Sequence, residues 1–433
     1  MLGIIIGLVL LMYLAYRGMS IIWIAPICAL IVAGSGGLEL LPAYSETYMG
    51  GLVGFAKAWF PAFLLGAIFG KVMDESGAAR SVAYYMTKLI GTKYAIAAVV
   101  AACGILTYGG VSLFVVVFAI YPLAVALFRE ANISRKLIPG AIALGSFTFT
   151  MTALPGTPQI QNLIPMTYFG TTPVAAPIMG VAGALVMFGV GLLWLSYRQR
   201  KLTAAGEVFT ELEKKVDEIN ASKLPNPFLS AIPLILVIGV LNLFTKELPA
   251  AQQVIPPLVI GIIAAIALNF KRLPKLIETI NAGAAGSVLA ILNTSAAVGF
   301  GAVVRAVPGF ETLTSMVLAI PGNPLISLSA AVNVLAGATG SASGGMGIAL
   351  AALGEKYMQL AASTGIPPEA FHRVASLSSG GLDTLPHNGA VLTLLAVTAM
   401  THKDSYKDIF MVGTAIPILS VIVAIVLASI GLV

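Results

Sequence analysis

Apolar stretches follow one another along almost the whole chain, from Leu2 to Val433, with polar positions in short groups between them. About 20 apolar residues make a helix that crosses the roughly 30 Å hydrocarbon core of a bilayer. The runs are continuous rather than alternating, which excludes a transmembrane β-barrel. The pattern therefore predicts an all-α polytopic membrane protein. Spans are expected near 2–16, 19–35, 52–72, 137–169 and 174–196, with a short interfacial helix near 79–92 and a hairpin over about 94–128. One clearly hydrophilic stretch, 197–227, then divides the chain. Beyond it, spans are expected near 228–244, 252–269, 284–304, 371–400 and 409–432, with a hairpin around 324–361.

Two pairs of interruptions recur at matching places. Ile105–Leu–Thr–Tyr–Gly–Gly–Val–Ser112 is followed further on by Ala153–Leu–Pro–Gly–Thr–Pro–Gln159, and Gly337–Ala–Thr–Gly–Ser–Ala–Ser–Gly–Gly345 by Asp383–Thr–Leu–Pro–His–Asn–Gly389. Leu154–Pro155–Gly156 aligns with Leu385–Pro386–His387. Backbone that leaves the helix at membrane depth is tolerated only where protein buries it or it lines a cavity. Paired interruptions in two halves are a pointer to a transporter's binding site. Hairpin arms of about 13–16 residues reach only about 20–24 Å, so the hairpins should re-enter rather than cross.

The expected organisation is thus a first repeat over 1–196, a cytoplasmic linker over 197–227 and a second repeat over 228–433. Broken helices fall near 137–169 and 371–400. Five crossings per half is odd, so the repeats should have inverted topology. Basic residues agree: with the linker inside, 19 of the 24 Lys and Arg lie on its side. Only Lys57, Lys246, Arg305, Lys356 and Arg373 fall on the other side or at membrane depth. Lys and Arg concentrate in cytoplasmic loops. Both termini are then expected outside.

Composition narrows the function. With 58% hydrophobic and 10% charged residues and a mean hydropathy of +0.97, the chain cannot be a soluble globule, whose charged share averages about 25%. The net charge of +6 is scattered singly over loop ends, which gives no nucleic-acid footprint. The first apolar run has no basic residue before Leu2 and is read as a retained span rather than a signal peptide. Cys28 and Cys103, in separate apolar segments, read as small buried hydrophobes. No Walker A, HExxH or CxxC motif is present, so no metal or cofactor is expected, nor an enzyme or a primary pump.

The tips and breaks supply the candidate chemistry. Substrate-binding candidates are Thr107, Tyr108, Gly109, Gly110, Ser112, Pro155, Gly156, Thr157, Gln159 and Asn162 from the first repeat. The second adds Thr339, Gly340, Ser341, Ser343, Thr384 and Asn388. Half-helix N-termini present N–H donors and partial positive charge, which suit a carboxylate; some hydroxyls will instead cap helix ends. Asp383 and His387, four residues apart, are the ionisable pair at membrane depth. Such groups default to a functional hypothesis, here exchange of a coupling proton, because histidine titrates near neutral pH. The alternative is an Asp that caps the half-helix and a His that satisfies a carbonyl. His372 and His402 read as surface residues at span ends.

The run Phe63–Leu–Leu–Gly–Ala–Ile–Phe–Gly–Lys–Val–Met–Asp–Glu–Ser–Gly–Ala–Ala–Arg80 and the run Leu385–Pro–His–Asn–Gly–Ala–Val391 resemble the gluconate permease (GntP) family of the ion transporter superfamily. The resemblance extends over nearly the whole chain, with the 3-hydroxybutyrate permeases as the nearest branch. It implies a proton-coupled secondary transporter of organic acid anions in the bacterial inner membrane. It further implies a homodimer whose fixed scaffold carries hairpins and broken helices that move as a unit, an elevator mechanism. The tips lack the Ser–Asn–Thr motif of sodium-coupled relatives, which favours protons over sodium. The first break, Leu154–Pro155–Gly156–Thr157–Pro158–Gln159, departs from the histidine-rich break of sugar-acid members. A small hydroxy-monocarboxylate such as 3-hydroxybutyrate is therefore expected before gluconate or a citrate-type substrate. A passive anion channel and an intramembrane enzyme built on Asp383 and His387 are the rivals from other classes.

Overall fold

The structure, a computed structural model, describes residues 2–17, 19–211, 220–245, 247–318 and 320–433. Lys214, Lys215 and Lys246, counted in the charge argument above, lie outside them.

Twenty α-helices follow in order among the described residues. The first half contains α1 (Leu2–Tyr16), α2 (Ile21–Ser35), α3 (Leu40–Pro42), α4 (Met49–Glu75), α5 (Ala78–Ile90), α6 (Ala95–Tyr108), α7 (Leu113–Glu130), α8 (Ile138–Ser146), α9 (Ile160–Phe169) and α10 (Pro177–Ala204). The second contains α11 (Pro227–Phe244), α12 (Ile255–Asn269), α13 (Leu276–Ala306), α14 (Gly309–Leu318), α15 (Pro324–Thr339), α16 (Ala342–Thr364), α17 (Pro368–Ser379), α18 (Gly389–Val397), α19 (His402–Phe410) and α20 (Ile416–Ser429). Seven helical segments among the described residues are long and apolar enough to cross a membrane. The chain is a multi-pass, all-helical membrane protein.

The two halves share one order: a long helix, a short interfacial helix, a hairpin, a broken helix and a final span. Their packing is crosswise. The second arm of the first hairpin, α7, lies on α18, as α16 of the second hairpin lies on α9; α2 packs on α13 as α12 packs on α4. The central pair, α4 and α13, meets along small residues: a Cβ on Gly51 would lie 2.6 Å from the Cβ of Ala302, and one on Gly283 2.8 Å from the Cα of Ile68. Small residues let helices approach closely where lipid offers no hydrophobic drive for association.

Three expectations need correction. The second arms are longer than 13–16 residues: α7 has 18 and α16 has 23. The extra turns of α16 carry Glu355 and Lys356, both exposed, so the arm ends at a surface. The interfacial helix of the second half, α14, was not expected; it is the counterpart of α5, which meets α6 at a 99° bend. The final span of the first half runs eight residues into the stretch read as linker, because α10 continues to Ala204.

One end of the bundle gathers the linker and its basic neighbours. Glu211 pairs with Arg129 at 3.0 Å, Glu207 pairs with Lys136, and Thr210 accepts from Arg135 Nε at 3.2 Å. Deeper in, the fully buried Asp408 holds Arg198 Nε at 2.8 Å and accepts from Trp194 Nε1 at 3.0 Å. Removing one partner of a buried ion pair leaves the other uncompensated. Asp408→Ala is expected to destabilise the fold by about 3 kcal/mol, read as a lower midpoint in a detergent melt.

Candidate functional site

Each hairpin tip is tied to the break of its own repeat by the residue that opens the second half-helix. Gln159, at the N-cap of α9, donates from Nε2 to the Thr107 carbonyl at 2.6 Å. Asn388, at the N-cap of α18, donates from Nδ2 to the Gly340 carbonyl at 2.9 Å. The same latch thus forms twice, from different residues. Tyr108 adds a second tie in the first repeat, donating to the Pro155 carbonyl at 2.9 Å. Gly110 and Gly340 turn the tips with φ of 94° and 57°, conformations that glycine adopts without steric cost.

The remaining candidates divide by how their polar atoms are used. Thr339 Oγ1 donates to Leu335 O within its own helix at 2.9 Å. Ser341 caps α16 by accepting from Gly344 N at 3.1 Å. Thr384 Oγ1 meets Thr414 Oγ1 at 2.8 Å, anchoring the second break to the last span. Thr157 Oγ1 accepts from Gln159 N at 3.4 Å. Ser343 Oγ lies 3.4 Å from Thr294 Oγ1 on α13. A Cβ on Gly109 would meet Leu234 of α11 at 2.7 Å, and the Gly156 carbonyl accepts from Asn242 Nδ2 at 2.9 Å. Ser112 opens α7 without a side-chain cap.

Two of the candidates have a buried polar atom without a hydrogen-bond partner among the described residues: Thr107 Oγ1 in the first tip and Asp383 Oδ1 in the second break. Such atoms cost on the order of 1–3 kcal/mol each. Asp383 is only 5% exposed, in the turn Leu382–Thr384. The ring of His387 lies against the second tip, its Cδ2 2.9 Å and its Nε2 3.0 Å from where a Cβ on Gly340 would sit.

The sequence reading missed the residues that join the two repeats. His372, read as surface, is fully buried, with Nδ1 2.6 Å from Thr171 Oγ1. Arg373 beside it is also fully buried. Its guanidinium donates to Ala153 O at 3.1 Å, Asn162 Oδ1 at 3.0 Å and Ala175 O at 2.6 Å. Asn162 in turn spends both amide protons, on Thr157 O and Pro173 O. Ser376 donates to Thr152 O at 2.7 Å, so the two broken helices cross at this point. The one available signal was a cation inside the apolar run Ala370–Leu377, which at membrane depth implies a partner.

Comparison with known proteins places this arrangement. The model of the GntP family permeases matches residues 1–343. The chain belongs to that family. An uncharacterized transporter of Bacillus subtilis, YxjC, is 46% identical over 94% of each chain. An uncharacterized permease of Haemophilus influenzae is 27% identical over 75% of this permease and 71% of its own length. Among solved structures, the YdaH transporter of Alcanivorax borkumensis, described as having an unusual topology, superposes with a TM-score of 0.59 at 15% identity, covering 89% of this chain and 87% of its own. MtrF of Neisseria gonorrhoeae, from a class of antimetabolite efflux pumps, gives 0.51 at 14% identity, covering 90% and 84%. At these identities the two structures share the fold of the permease.

Proposed function

We propose that the permease is a secondary active transporter that imports a small organic acid anion by proton symport, with a short hydroxy-monocarboxylate such as 3-hydroxybutyrate as the first candidate. The observation that carries the reading is the doubled latch between hairpin tip and broken helix, with an unpartnered buried polar atom in each repeat. Irregular backbone and half-helix ends at membrane depth are how transporters of this kind present N–H donors to a substrate. In this reading Thr107, Tyr108, Gly109, Gly110, Ser112, Pro155, Gly156, Thr157 and Gln159 stand on one side of the anion and Thr339, Gly340, Ser341, Ser343, Thr384 and Asn388 on the other, while Asn162, its amide spent on Thr157 O and Pro173 O, holds the first break. Asp383, with His387 beside the second tip, takes the coupling proton.

The crosswise contacts of α7 with α18 and α16 with α9 support an elevator in which hairpins and broken helices move as one body against a scaffold of α2, α4, α12 and α13. In this reading the protein is a homodimer of the bacterial inner membrane, with the linker cytoplasmic and both termini outside.

The test is uptake of labelled 3-hydroxybutyrate into proteoliposomes under an imposed pH gradient, with gluconate, citrate and lactate as competitors. Uphill accumulation that a protonophore collapses is the expected result, and the competition pattern names the substrate class. Uptake driven only by a sodium gradient would move the coupling site elsewhere. Flux that does not saturate and never runs uphill would make the protein a channel.

A further inference from the structure

Four half-helix N-termini open at the tips and breaks, and they are not alike. Both in the second repeat are closed by their own side chains: Ser341 Oγ accepts from Gly344 N at 3.1 Å, and Asn388 Oδ1 from Ala390 N at 2.7 Å and Val391 N at 2.9 Å. Neither in the first repeat has a side-chain cap. Ser112 before α7 makes no such bond, and Gln159 before α9 turns its amide to the Thr107 carbonyl instead. The first turns of α7 and α9 thus keep N–H donors that their own N-cap side chains do not satisfy, and the positive ends of their dipoles. Thr107 Oγ1, fully buried and unpartnered, belongs to the same junction.

A fixed cation stands behind it. A Cβ on Gly180 would be 3.1 Å from Arg373 Nε and 3.2 Å from Pro155 Cδ, so the guanidinium lies directly against the first break. Among the described residues its hydrogen bonds go to carbonyl or amide oxygens and none to a carboxylate. A buried charge without an opposite charge is costly. The second junction has the opposite character: its ionisable acid, Asp383, is buried and has an unpartnered oxygen.

We propose that the substrate carboxylate binds at the first-repeat junction, against the N-termini of α7 and α9 and the Thr107 hydroxyl, with Arg373 as its through-space counter-charge. This rests on the transporter reading above and assigns its two ligands to different repeats. With four of its five N–H donors committed to carbonyl oxygens, Arg373 acts through its field and is a positioning residue. Its field is weakly screened in a low-dielectric interior.

The experiment is binding of 3-hydroxybutyrate and of its neutral amide to the purified full-length permease, by calorimetry and thermal shift. Wild type should prefer the acid by about tenfold or more in Kd. Arg373→Met, if folded, should bind the two alike, whereas Arg373→Lys should restore the acid preference. Asn162→Asp, which sets a carboxylate where Nη1 now donates at 3.0 Å, should weaken the acid by about tenfold and spare the amide. Gly239→Ala in α11, where an added Cβ meets no described atom beyond its own helical turn, should leave the acid preference intact. A wild type that binds acid and amide equally, or a folded Arg373→Met or Asn162→Asp protein that keeps the preference, overturns the assignment. If neither ligand binds wild type and no uptake occurs, the transporter reading itself falls.

Discussion

Asp383→Asn is expected to abolish accumulation of substrate under a pH gradient while leaving exchange across the membrane intact. The carboxyl is 5% exposed and one of its oxygens has no partner among the described residues. A buried carboxylate without a cation is costly, and protonation is the ordinary way out. Asn has the same shape and mimics the protonated acid but cannot release the proton. The neighbouring turn stays anchored, since Thr384 meets Thr414 Oγ1 at 2.8 Å and its carbonyl accepts from Tyr406 at 3.2 Å. The loaded carrier should therefore still cross and exchange, but the gradient can no longer drive it. Counterflow with labelled and unlabelled 3-hydroxybutyrate, run beside the pH-gradient assay, separates the two. Accumulation at the wild-type rate would reduce Asp383 to a helix cap.

Gly345→Ala should be among the most damaging single changes in the chain. A Cβ there would sit 2.1 Å from the Ala336 nitrogen and 2.2 Å from its Cα. Both are backbone atoms of the opposite hairpin arm, so no side-chain rotation relieves the clash and α15 must part from α16. Overpacking of this kind costs about 3 kcal/mol or more. The separation would also move the second tip away from Asn388, so transport should fall with stability. Gly239→Ala in α11 is the control: beyond its own helical turn no described atom lies within 4 Å of its added Cβ, and helix propensity should stabilise it by up to about 1 kcal/mol. Melting midpoints and uptake of the two variants, measured in parallel, check the prediction; equal midpoints would refute the crowding argument.

Much of this architecture was legible in the chain. The order of spans, hairpins and breaks follows from hydropathy and from Gly and Pro at matching places, because lipid leaves no alternative for the backbone there. The α14 helix escaped because its ten residues, shorter than the thirteen of α5, make a weaker amphipathic pattern between two apolar runs. The latches were half legible: Gln159 and Asn388 stood among the candidates, but nothing local says that a tip carbonyl is their acceptor.

Sequence alone thus determined that the protein crosses a membrane repeatedly, where its helices break, and which hydroxyls, amides and ionisable groups stand at the breaks. These are consequences of solvent and of local backbone chemistry, and they act within a few residues. Tertiary structure decided how those groups are used. Thr339, Ser341 and Thr384 are spent on nearby partners, whereas Thr107 and Asp383 keep an unpartnered atom. It also moved His372 from an expected surface to the interior and placed Arg373 against Ala153, Asn162 and Ala175, about two hundred positions earlier in the chain. A buried cation's partners are fixed by the crossing of two helices from different repeats, and hydropathy along one chain does not contain that crossing.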